Sequence, residues 1–373
     1  MRNYLDYNAS TPLDKRVLEA MMPYLSGQYG NASSRHYEGR MAKQAIELAR
    51  EQLAAAVNAH PSQVIFTSGG TEANNLALKG FQQMHAGAHI ACSRIEHASI
   101  MVPAKSLKAG EIAVNAQGRV EIDSLPKENG ALASIMAVNN ETGVIQDIKA
   151  LAERVRHSGG VVHTDAVQAL GKVEVDFAAW GVQMMSLSGH KIYGPKGVGA
   201  LVVDKAISLY PQLQGGGHEK GRRSGTENVA AIVGFGAAAE MMAGEWPARM
   251  KRSMQLRDRL EQNLNKSMDE VCIFSQETER VANTSMFSIP GIDGEAMLMA
   301  LDEAGFAVSS GSACDSKSIE PSHVLMAMGI DEPTARGAIR VSLGKDSTEQ
   351  QVDDLVGAVS QVAKKLGKLA AAW

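Results

Sequence analysis

From about residue 60 to residue 205, short apolar runs alternate with stretches of helical period: Val64 to Phe66, Ser134 to Val138, Gly160 to His163 and Gly199 to Val203 are the runs. A chain that returns through a helix after each such run builds a mostly parallel sheet with helices packed on it. Helical patterns at roughly 35 to 57, 72 to 84 and 147 to 158 supply the crossovers, each with apolar residues on one face and Glu, Lys or Arg opposite. The fold class is therefore α/β. After a long helical stretch from about 227 to 267, strand-like segments at Asn283 to Ile289 and Ala338 to Ser342 and helices near 293 to 304 and 347 to 367 read as a smaller α/β unit. The expected division is a large domain over 15–255 and a small one over 256–373 joined by segment 1–14, with the boundary inside the long helix.

Length agrees with two units, because 373 residues exceed what one hydrophobic core usually supports. Hydrophobic residues at 45% and charged residues at 21% allow a substantial core and argue against long disorder. A net charge of -4 without a Lys/Arg stripe offers no footprint for nucleic acid or an anionic membrane. No window approaches the roughly 18 apolar residues that span a bilayer, and Met1 to Asp14 carries no export signal, so a cytoplasmic protein is expected. Three widely spaced cysteines, Cys92, Cys272 and Cys314, suit a reducing compartment better than a disulfide framework or a metal site. The apolar neighbours of Cys92 and Cys272 read as those of small core residues.

Chemistry concentrates in three segments. The run VIFTSGGTEANN, from Val64 to Asn75, is a strand, a Gly turn and a helix start, where free amides at Gly70 and Thr71 and the hydroxyls of Ser68 and Thr71 can cradle a phosphate. Taken alone it is equally an ordinary strand-to-helix turn. The strand VVHTDAVQ ends in Asp165 and continues to Gln168; an acid at the carboxyl end of a parallel strand faces the ligand crevice, or else caps the next helix. In MMSLSGHKIYGPKGVG, Lys191 stands between an apolar stretch and a Gly/Pro turn, beside Ser188 and His190, which makes it either a surface lysine or an amine that bonds an aldehyde cofactor.

The order of these pieces resembles the fold-type I pyridoxal-phosphate enzymes, and specifically the class V aminotransferase branch. The resemblance implies pyridoxal 5'-phosphate as cofactor, with Gly70, Thr71, Ser188 and His190 around it, Asp165 on its ring nitrogen, Gln168 on its ring hydroxyl and Lys191 bonded to it. It also implies that His97, in EHAS, stacks on the ring, and that Asn140, in NNETG, faces substrate. The element RSGT, ending at Thr226, implies a homodimer in which Thr226 reaches the cofactor phosphate of the partner subunit.

One cysteine narrows the reaction. In VSSGSACDSKSIEPS, Cys314 lies in a run of Ser, Gly and Ala that cannot pack a core and is expected to be mobile. This run resembles the cysteine loop of the NifS/IscS-like cysteine desulfurases, and the resemblance extends from YLDYNASTP at Tyr4 to IRVSLG at Gly344. It implies a cysteine desulfurase: L-cysteine held through its carboxylate by Arg340, its α-proton removed by Lys191, its sulfur taken by Cys314 as a persulfide, and alanine released, with His97 shuttling protons. The sulfur then passes to an acceptor protein, a scaffold or a carrier, in iron–sulfur cluster biogenesis, tRNA thiolation or DNA phosphorothioation. The chain ends soon after its final helix without the longer tail with which IscS-like members dock a cluster scaffold, and Asp315 and Lys317 replace small residues, so the recipient stays open. Two alternatives stand beside this reading: a selenocysteine lyase or other class V aminotransferase, and a catalytically silent binding scaffold.

Overall fold

The computed structural model describes residues 2–268, 270–310 and 320–370. Cys314 lies outside the described residues. The principal sheet has seven strands, in the order Val64–Thr67, Gly199–Val203, Met184–Ser188, Val161–Asp165, Leu132–Ser134, Ile90–Ser93 and Gly110–Ile112. The last five run parallel, while Gly199–Val203 is antiparallel to both of its neighbours. The expected α/β class with a mostly parallel sheet is thus the observed one.

Several boundaries differ from the sequence reading. The run expected as a strand from Ser134 to Val138 pairs only over Leu132–Ser134; beyond Ser134, Val138 returns to bridge Ile145 across the turn that holds Asn140. Helix Lys15–Ser26 was not apparent in the hydrophobic pattern, because its apolar residues face two ways: Val17 and Met21 are buried while Leu18, Met22 and Leu25 are exposed. Asp14 starts it by accepting from Arg16 N–H at 3.0 Å. Cys272 corrects another expectation. It is exposed rather than a core residue, because Cys272–Ile273 is an edge strand paired on one side only.

The long helix Val229–Ser267 starts on the side chain of Asn228, which accepts from Ala231 N–H at 3.2 Å. Its first half places Ala231, Phe235 and Ala238 in the core of the large sheet, and a Cβ on Gly236 would lie 2.6 Å from Ala49 Cα, so glycine lets it close on helix Tyr37–Ala56. In its second half Leu256, Leu260 and Leu264, spaced one turn apart, enter a different cluster with Leu5, Phe287 and Val352. A four-stranded antiparallel sheet lies there, in the order Ser309–Ser310, Ile339–Ser342, Thr284–Ser288 and Cys272–Ile273. Strand Asn3–Tyr4 pairs in parallel with Phe306–Ala307 in a two-stranded sheet of their own, and a bridge between Asp6 and Ser342 ties the N-terminal segment to the second sheet. Among the described residues no helix is long and apolar enough to cross a membrane.

Candidate active site

A cavity of about 460 Å³ opens at the carboxyl ends of the parallel strands, where an α/β sheet binds its ligands. Asp165 ends strand Val161–Asp165 and Ser188 ends strand Met184–Ser188; Lys191 closes the short helical turn Gly189–Lys191 that follows. Helix Gly70–Asn75 begins at the cavity, and a Cβ on Gly70 would lie 2.9 Å from Val167 Cγ2, so only glycine lets this helix end approach so closely. Arg340 arrives from the second sheet, 200 residues away in sequence from Asn140, whose backbone carbonyl accepts its Nη1–H at 2.9 Å.

The cavity gathers Gly70, Thr71, His97, Asn140, Asp165, Gln168, Ser188, His190, Lys191 and Arg340, all expected from sequence. Thr226 does not join them. It lines a separate cavity of about 750 Å³ with His218 and Arg222.

Asp165 caps no helix, because a turn follows it: Oδ1 accepts from Val167 N–H at 2.9 Å in that turn, and Oδ2 accepts from Asn74 Nδ2 at 2.8 Å while the side chain lines the cavity. His97 is both a cap and a cavity residue. Its Nδ1 accepts from Ser99 N–H at 3.1 Å at the start of helix Ala98–Ser106, which leaves the proton of the neutral ring on Nε2. Burial lowers its pKa, and the nearby Lys191, His323 and Arg340 add to this against the opposing charge of Asp165. Burial and the neighbouring Lys191 and Lys196 push His190 down to about 4, so it faces the cavity as a neutral ring.

Lys191 Nζ donates to the backbone carbonyls of Asn8 at 2.5 Å and Ala9 at 2.8 Å. Arg340 also donates through Nη2 to Asp6 Oδ1 at 2.7 Å. Tyr193, two residues beyond Lys191, holds φ at +66°, a left-handed conformation that costs a bulky residue about 1–3 kcal/mol. It is retained because Tyr193 N–H donates to Thr11 Oγ1 at 2.8 Å and its hydroxyl accepts from Lys345 N–H at 2.7 Å. The turn carrying the lysine is therefore braced by the N-terminal segment and by the turn that follows strand Ile339–Ser342.

Asn8, Asp6, Asn74, Glu141 and Lys172 were not expected in or around the site. Asn8 and Asp6 sit inside the motif from Tyr4 to Pro12, and Asn74 inside the helix-start motif, but nothing in their spacing says what they meet. Glu141 is the following residue to Asn140; it is buried in the cavity wall, where it accepts from Ser322, and burial raises its pKa.

These groups suit an anionic, flat, aldehyde-bearing cofactor. Among the described residues, Ser188 Oγ, Asn74 Oδ1 and Arg340 Nε are buried in the cavity wall without a hydrogen-bond partner, an arrangement a bound polar group would satisfy. An amine, an acid at a strand end and a bare helix start together match the aldehyde, the ring nitrogen and the phosphate of pyridoxal 5'-phosphate.

Comparison with known proteins agrees. The family model "Aminotransferase class-V" matches residues 3–355. A cysteine desulfurase of Trichormus azollae is 41% identical over 98% of this chain and 94% of its own length. The NifS-like protein from Rickettsia africae superposes with a TM-score of 0.90 at 34% identity, over 98% of this chain and all of that one. SspA, solved in complex with cysteine, superposes with a TM-score of 0.80 at 33% identity, over 93% of this chain and all of that one.

Proposed function

The chain belongs to the aminotransferase class-V family and acts as a pyridoxal-phosphate-dependent cysteine desulfurase, and on that premise we propose that Lys191 carries the cofactor and Cys314 receives the sulfur. The observation that carries the assignment is the convergence of Lys191, Asp165, His97, Asn140 and Arg340 on one cavity from both sheets. When bound, pyridoxal phosphate supplies an electron sink beside the α-carbon of the amino acid. Asp165 would keep the ring nitrogen protonated, and Gln168 would meet the ring hydroxyl. His97 would lie against the ring. The amides of Gly70 and Thr71, with Ser188 and His190, would hold the phosphate.

Arg340 binds the carboxylate of L-cysteine through its guanidinium, whose Nε has no partner among the described residues, and Asn140 contacts the same substrate. The Lys191 amine takes the α-proton. The Cys314 thiolate then attacks the substrate sulfur: a sulfur–sulfur bond forms, the carbon–sulfur bond breaks, and the amino acid leaves as alanine once protons are returned, with His97 as carrier. Thr226 serves the site of a second subunit; its separation from the Lys191 cavity supports this. The persulfide passes to an acceptor protein.

The test is a pair of variants. Lys191→Ala should abolish both alanine release from L-cysteine and the visible absorbance of lysine-bound cofactor, whereas Cys314→Ser should keep the absorbance and lose alanine release. Normal turnover by Cys314→Ser would overturn the sulfur assignment.

A further inference from the structure

Four residues beyond Gln168, Lys172 turns inward and is only 8% exposed. Its Nζ donates to Asn8 Oδ1 at 2.7 Å and to Gln168 Oε1, and among the described residues these two side-chain oxygens are its polar partners. A narrow space of about 20 Å³ is lined by both Lys172 and Lys191. Burial pushes the pKa of Lys172 well below the ordinary lysine value, assisted by the charges of Lys191 and Arg340, so holding an amine here is costly. An amide alone would meet Asn8 and Gln168 more cheaply.

What an amine does that a neutral apolar side chain cannot is impose direction. The two ends of a carboxamide are nearly the same size, so a glutamine flips at little steric cost unless a partner is donor-only or acceptor-only. Facing two N–H groups of Lys172, both amides must present oxygen. Asn8 obeys: its Oδ1 also accepts from Asn283 Nδ2 at 3.1 Å, and its Nδ2 donates to Thr284 Oγ1 at 2.9 Å. Gln168 obeys too. One N–H of its Nε2 goes to the Asn8 carbonyl at 2.9 Å, the same oxygen that receives Lys191 Nζ, and Nε2 carries a second N–H in a side chain that lines the main cavity.

We propose that Lys172 is a positioning residue that fixes Gln168 with its N–H, not its C=O, toward the cofactor site, so that the ring oxygen of the cofactor meets a hydrogen-bond donor. This rests on the reading of Gln168 as the partner of the ring hydroxyl. A donor there favours the negatively charged ring oxygen; an acceptor would repel it.

The experiment is a pH titration of the visible absorbance of the substrate-free holoenzyme, with thermal unfolding run alongside. Gln168→Leu should raise the midpoint by about one pH unit, the size expected for one hydrogen bond to a charged oxygen. Lys172→Met should raise it by a comparable amount, and the double variant should move no further than Gln168→Leu alone, because both remove the same contact. An unchanged midpoint in Lys172→Met overturns the inference, as do additive shifts, which would mean that Lys172 acts through space by its charge. If Gln168→Leu itself leaves the midpoint in place, the reading of Gln168 fails, and the inference with it. Should Lys172→Met not fold, Gln168→Glu asks the same question: a carboxylate satisfies Lys172 but offers the cavity no N–H, so the midpoint must rise as in Gln168→Leu, and an unmoved midpoint overturns the proposal.

Discussion

Asn74 Nδ2 lies 2.8 Å from Asp165 Oδ2 and at the same distance from Ser99 Oγ, so one buried amide joins the helix that starts the phosphate cradle to the strand end that carries the acid. This contact aims the carboxylate, since its other oxygen is already held by Val167 N–H. Asp165→Asn would set an amide N–H against one of these two donors and leave the cofactor nitrogen without an anionic partner, so alanine release from L-cysteine should fall at least about a hundredfold. Asn74→Leu removes only the aiming contact and should cost about tenfold, with weaker retention of the cofactor on gel filtration.

Arg340 should affect substrate more than chemistry. Its guanidinium is braced by Asp6 and the Asn140 carbonyl, and in the proposed role it meets the carboxylate of L-cysteine. Arg340→Lys keeps a charge but loses the planar fork, and steady-state kinetics should show KM for L-cysteine raised about tenfold or more with a smaller change in kcat.

His163 predicts a pH dependence of stability. It is fully buried between Ser134 Oγ and Ser186 Oγ, each at 2.9 Å, and burial pushes its pKa from 6.5 down to about 3. The unfolded chain therefore binds a proton that the native chain refuses between these values. The associated stability is complete above pH 6.5 and is lost as pH falls toward 3, at up to about 1.4 kcal/mol per pH unit. Urea midpoints at pH 7, 6 and 5 should fall more steeply for the native chain than for His163→Gln.

The loop that carries Thr226 hangs on a buried ion pair. Arg50 Nη1 and Nη2 meet Glu219 Oε2 and Oε1 at 2.8 and 2.7 Å, and Glu219 also accepts from Phe66 N–H at 3.0 Å. With side chains 9% and 3% exposed, removing Glu219 leaves the buried Arg50 only the Val64 carbonyl and a longer contact with Glu47, and Glu219→Ala should cost about 3 kcal/mol in denaturant unfolding. Replacing Arg50 and Glu219 together by leucine and methionine should recover much of that loss.

Much of the site was legible before folding because its groups belong to local motifs. Asp165 sits at the end of a strand, Gly70 at the start of a helix and Lys191 in the turn after a strand, positions that periodicity and turn residues mark directly, whereas His97 was singled out only by the family resemblance. Helix Lys15–Ser26 was missed because its apolar residues are split between core and surface. The position of Cys272 was misread because apolar neighbours do not tell an edge strand from a central one.

The α/β class and the distinct cysteine run were determined by the sequence alone, and the proposed cofactor residues were picked out by it, since each depends on near neighbours and on residue type. Tertiary structure decided how the site is braced. Asn8 receives Gln168 from 160 residues away and donates to Ser342 from 334 away, and Arg340 meets Asp6 across 334. No local period encodes such contacts. They exist because two sheets, packed on either half of one long helix, bring the N-terminal segment between them, where buried polar groups must find partners or remain costly.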